Sequence, residues 1–173
     1  SPRTIPQLRH SGLPRPSSMS FDGLVLYFDC KRDDKRGFEV MTTRRSSRRG
    51  PWTPPQRIKV DPRTAPGRFT QAAVTSDGLR LYCVSPGNER GTVRLGVFSR
   101  NTAGKLFGDF RYIDVATKTG RRTNCFNPRF VAKTGELFVT SRSLFDNDAT
   151  NQKRQMDIWV VKKFELPESP ASR

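Results

Sequence analysis

From residue 24 onward the chain places apolar side chains in short bursts. Leu24, Leu26 and Phe28 alternate with Val25 and Tyr27, so both faces of this segment carry apolar groups. Short runs rich in aromatic and β-branched residues, bounded by Gly, Pro, Asn and Asp, predict strands. The pattern returns at Leu79, Leu81 and Cys83 and, in shorter form, at Glu136, Leu137, Phe138 and Val139. Each run follows a tight turn, at Asp22-Gly23, Asp77-Gly78 or Thr134-Gly135, where glycine accepts the positive φ that a hairpin needs. Further strands are predicted at 38–42, 93–99 and 156–162, and outer ones at 56–60 and 111–115. No window has helical periodicity, so the fold class is all-β.

These bursts recur with the turns as reference points. Gly23, Gly78 and Gly135 stand 55 and 57 residues apart, a spacing that reads as a repeat somewhat above the usual 20–50 residues. Four antiparallel strands per unit, with aromatic residues at repeating positions, is the plan of a β-propeller blade. About three blades result, at 17–60, 61–118 and 119–165, preceded by an N-terminal segment (1–16) and followed by a tail (166–173).

The turn and strand residues resemble the WD40-like repeat of the TolB type. Ser20-Phe21-Asp22-Gly23 with Leu26-Tyr27-Phe28, Thr75-Ser76-Asp77-Gly78 with Leu81-Tyr82, and Met156-Asp157-Ile158-Trp159-Val160 carry the likeness, over roughly residues 17–164. Two units depart from it: Lys133-Thr134 stands before Gly135, and Arg94-Leu95-Gly96-Val97 replaces the Asp-Ile-Tyr element. The resemblance implies a β-propeller binding module from a bacterial envelope or secreted setting, periplasmic or exported. Propellers close with 4–8 blades, so three describe a partial propeller or half of a six-bladed ring. Residues 2–8 read as an outer strand lacking its blade, and the third unit lacks an outer strand. Either the chain is a piece of a longer propeller, or a homodimer completes the ring by exchanging those strands.

Charge adds a partner class rather than a fold. Lys and Arg number 32 against 16 acidic residues, a net charge of +16, which favours anionic ligands. The basic pairs Lys31-Arg32, Lys35-Arg36, Arg44-Arg45, Arg48-Arg49, Arg121-Arg122 and Lys153-Arg154 are scattered over both rims of the expected blades. Without a single stripe or interleaved aromatics, that spread argues against a dedicated nucleic-acid surface, and sequence-independent electrostatic binding is the residual alternative. No apolar run has the length of a membrane helix.

Candidate chemistry is sparse. His10 is the lone histidine, and Cys30, Cys83 and Cys125 have no zinc spacing, so no metal or cofactor is implied. Cys83 stands where the first unit has Phe28 and reads as a small core residue. Asp22 and Asp77 read as turn residues that bond their own backbone, with Gly23, Gly78 and Gly135 beside them. Asp29, Asp33 and Asp34 lie near one loop, and Asp146-Asn147-Asp148 reads as a solvated hairpin tip. Trp52 is expected to pack between blades. In a propeller the ligand site lies where the inner strands converge, which nominates Arg68, Gln71, Asn124, Asn127 and Arg129. The same residues serve two readings: a non-catalytic module that binds a protein or an anionic ligand, and a propeller-class hydrolase or lyase acting on carbohydrate.

Overall fold

The computed structural model describes residues 5–8, 14–31, 37–87, 92–115, 124–142 and 156–161. His10, Asp33, Asp34, the 146–148 stretch, the tail, and the basic residues at 32, 35–36, 121–122 and 153–154 lie outside the described residues. The chain is all-β. Strands β1 (Arg15–Met19), β2 (Val25–Lys31), β3 (Phe38–Arg44) and β4 (Gln56–Arg57) form the first antiparallel sheet in sequence order. The second contains β5 (Thr70–Val74), β6 (Arg80–Pro86), β7 (Val93–Ser99) and β8 (Gly108–Ile113). The third has three strands, β9 (Asn124–Val131), β10 (Glu136–Arg142) and β11 (Met156–Val161). Pro6–Leu8 form a turn of 3-10 helix, where an outer strand was expected.

Side-chain alternation explains why the centre of the middle sheet is apolar on both faces. Ala72, Val74, Leu81, Cys83 and Phe98 face the first sheet and pack with Tyr27 and Val40. Their neighbours Ala73, Tyr82, Leu95 and Val97 point the other way and pack with Cys125, Leu137 and Val139 of the third sheet. A strand buried on both faces has no polar alternate, because successive side chains enter different seams. The three sheets therefore stack in a row, and among the described residues they do not close into a ring.

The first two sheets use the same atoms at their hairpins. Ser20 Oγ donates to Asp22 Oδ1 (2.6 Å), which also accepts the Leu24 N–H (2.9 Å). Thr75 Oγ1 donates to Asp77 Oδ1 (2.5 Å), which accepts the Leu79 N–H (2.9 Å). These bonds hold the Asp22 carboxyl below its usual pKa, the Ser20 hydroxyl contributing most. Gly23 and Gly78 have φ of 75° and 70°, which a side chain would strain. An arginine then locks each turn from the end of the third strand: Arg45 Nε donates to Gly23 O (2.8 Å) and Arg100 Nε to Gly78 O (2.7 Å). Each guanidinium also covers an aromatic ring, Trp52 at 4.4 Å and Phe107 at 4.0 Å. Arg48 adds a bond from Nε to Asp22 O (3.1 Å), so part of the basic 44–49 segment fastens a turn. Trp52 is thus engaged by Arg45 within its own sheet's loops.

Gly96 leaves room on β7 for a ring from the neighbouring strand. A Cβ at Gly96 would lie 2.5 Å from Phe110 Cε2 and 2.6 Å from its Cζ, so the ring of β8 occupies the missing side chain's space. Phe110 in turn packs on Phe98 and Tyr112, at 4.7 and 5.1 Å between centroids. Gly96→Ala should therefore displace Phe110 and cost about 1–3 kcal/mol, as overpacking does. Urea unfolding measures it, and a variant as stable as wild type would show that Phe110 moves freely.

Candidate functional site

The first strands of the three sheets, β1, β5 and β9, each break register. The irregularities fall between Pro16 and Ser18, between Thr70 and Ala73, and across Phe126–Arg129 opposite Phe138 and Thr140. An extra residue in one strand re-aims its side chain and frees its backbone from the ladder. Gln71 and Asn127 occupy two of these places with φ of 56° and 47°, a conformation that costs a non-glycine residue about 1–2 kcal/mol. Both carry that strain while donating a freed N–H across a sheet boundary.

The result is a relay through all three sheets. The Gln71 N–H donates to both oxygens of Asp29, at 2.9 and 3.1 Å, joining sheet two to sheet one. Gln71 Oε1 accepts the Asn127 N–H at 2.6 Å, joining sheet two to sheet three. Arg129 completes the circuit by donating from Nη1 to Ser17 O on β1. Asp29 lies in strand β2, two residues before its end, and is 5% exposed. Burial raises its pKa, against the opposing effects of the Gln71 N–H, the Ser17 hydroxyl, Arg15 and Arg129. Backbone outliers gathered at one point, each tied to a polar partner, are grounds for a functional hypothesis.

Three of the five nominated residues, Gln71, Asn127 and Arg129, come together here. Asn124 instead turns to the seam, where its Oδ1 accepts the Val93 N–H at 2.6 Å and anchors the start of β7. Arg68 contributes its backbone carbonyl, which accepts from Ser85 Oγ at 2.9 Å. Asn127, Arg129 and Arg15 are exposed, and the charges of both arginines reach Asp29. Arg15 also covers the Phe38 ring at 4.3 Å. The junction offers an amide and two guanidinium groups to a ligand rich in carboxylate or carbonyl oxygen.

Cys83 lies fully buried in the first seam, and burial pushes its thiol pKa far up, which removes nucleophilic character. Among the described residues no group of three or more His, Cys, Asp or Glu could hold a metal ion. None of the described helices is long and apolar enough to cross a membrane. Set against known proteins, the chain matches no protein-family model and no curated sequence.

Proposed function

We propose that this chain is a non-catalytic binding module, built as a sector of a TolB-like β-propeller, that receives an acidic or carbonyl-rich ligand at the junction of its inner strands. The relay from Asp29 through Gln71 to Asn127 carries the reading, since it spends backbone strain to fix the donors around one point. The third sheet supports the sector. Leu137 and Val139 enter the second seam, so Phe138 and Thr140 face away, and β11 pairs Val160 and Ile158 with them. Ile158 is 73% exposed and Val160 42%, an apolar face suited to a further sheet from a longer chain or a second copy. An exported setting fits the same family likeness.

An enzyme acting on carbohydrate is the weaker reading. Glycoside hydrolysis ordinarily uses two carboxyl groups flanking the bond, and the described junction supplies one, Asp29, already committed to Gln71.

Titration of acidic peptides and acidic oligosaccharides against wild type and the Gln71→Ala/Arg129→Ala pair tests the proposal. Binding should weaken about tenfold or more in the double variant, the scale of losing charge-assisted bonds, with no turnover of any ligand. Turnover abolished by Arg129→Ala would replace the module with an enzyme, and no binding by wild type would remove it. Duplex DNA binding that falls with salt but ignores both substitutions would reflect only the +16 charge.

A further inference from the structure

A second site lies away from the junction, between the outer parts of the first two sheets. The chain leaving β4 zips onto the loop before β8: the Phe107 N–H donates to Lys59 O (3.1 Å) and the Asp61 N–H to Phe107 O (2.7 Å). That clasp walls a cavity of about 220 Å³ with Tyr27 and Thr42 among its lining residues. Arg44, Lys59, Arg100 and Lys105 also line it, and no carboxylate does. Arg57 lines it too, but its charge is answered by Glu39 at 2.9 Å.

The remaining four cations have no ion-pair partner among the described residues. Arg100 is the most constrained. Its guanidinium donates to Gly78 O and Lys105 O, at 2.7 and 3.0 Å, and meets the Tyr27 hydroxyl, all of them neutral acceptors. Those bonds and the Phe107 ring fix its position, and no carboxylate forms an ion pair with it among the described residues. Asp77, whose field reaches Arg100, lies outside the lining and already accepts from Thr75 and Leu79. Partial burial and the like charge of Arg44 both act to lower the Arg100 pKa. Held cations facing one cavity repel one another until an anion enters.

We propose that this cleft binds a phosphate-type oxyanion, either inorganic phosphate or the head of a phosphomonoester. A phosphoryl group brings close to two negative charges and three acceptor oxygens, which suits several converging donors better than a monoanion. The volume is below the roughly 300–1,000 Å³ of sites for drug-sized ligands, so a compact head group fits and a larger body would remain outside. The side chains of Arg44, Lys59 and Lys105 are exposed, leaving the cavity open to solution.

Calorimetric titration at low ionic strength tests the assignment with four probes: inorganic phosphate, glycerol phosphate, dimethyl phosphate and acetate. Phosphate or glycerol phosphate should saturate one site, and the two monoanions should bind at least about tenfold more weakly. The Arg44→Gln/Lys59→Gln double variant, which alters exposed side chains, should lose about tenfold or more in phosphate affinity. Arg111→Gln/Lys133→Gln removes the same charge outside the cleft and should stay within about twofold, as should Arg129→Ala at the junction. Preference for inorganic phosphate identifies a free anion, and preference for glycerol phosphate identifies a head group. No saturable binding by wild type, or equal losses in the two double variants, overturns the proposal. Retained phosphate binding in Arg129→Ala separates this site from the junction even if the junction binds nothing.

Discussion

Phe98→Ala should lower the unfolding free energy by about 3–5 kcal/mol, the range for deleting a buried aromatic side chain. Phe98 is fully buried and stands at the centre of the first seam, with Phe69 at 4.9 Å and Phe110 at 4.7 Å between ring centroids. Leu81 faces it across the strand pair, and Ala72, Val74, Cys83 and Phe107 share its cluster. Little can relax into the void. Phe110 is held over Gly96, Phe107 lies under Arg100, and Ala72 is too small to reach. Total stability of a domain this size is typically about 5–15 kcal/mol, so one substitution would remove roughly a fifth or more of it. Urea unfolding should show a lower midpoint with an unchanged slope. A loss below about 1 kcal/mol would mean the seam repacks, contrary to the density of such interiors.

The hairpins were legible because their causes are local. Asp22-Gly23 and Asp77-Gly78 each need only a turn carboxylate, a preceding hydroxyl and a glycine at positive φ. The arginine locks also left a trace in the sequence, since Arg45 follows Gly23 and Arg100 follows Gly78 by the same 22 positions. Each of these arginines binds the carbonyl of its own turn. Asp29 was harder to see. In the sequence it is one of three aspartates near a loop, and only the bulge of β5, 42 residues on, turns it into a buried acceptor. Arg68 lies just before β5, which holds Gln71, and Asn124 opens β9, which holds Asn127, but strand pattern does not reveal which residue a bulge re-aims. The cationic cleft was invisible for a related reason: its members come from β2, β3, the 56–59 segment and the 100–107 loop.

Replacing Asp29 should separate its charge from its role as an acceptor. Asp29→Leu leaves the Gln71 N–H and the Ser17 hydroxyl without the carboxyl they bond, at about 1–3 kcal/mol for each stranded group. The Gln71 N–H is the costlier loss, because a φ of 56° already strains that residue and the bond to Asp29 offsets the strain. A loss of about 2–5 kcal/mol is expected at acid pH, where wild type keeps the Asp29 proton, and a smaller one at neutral pH, where the buried carboxylate destabilises wild type itself. Asp29→Asn keeps an acceptor of nearly the same shape and removes the titration. Burial lifts the folded pKa of Asp29 above its ordinary value, so the native chain keeps this proton at pH values where the unfolded chain has released it. By linkage, the stability tied to that proton is complete below the unfolded pKa of about 3.9 and is lost as pH rises through the folded value. Wild type should accordingly lose ground to Asp29→Asn as pH climbs from about 4, then hold a constant difference once the carboxyl is ionised in both states. Urea unfolding of wild type and both variants across that range measures each effect. Parallel pH profiles for wild type and Asp29→Asn would assign the titration elsewhere, and a mild Asp29→Leu at acid pH would mean that the three-sheet relay is not what holds the inner strands together.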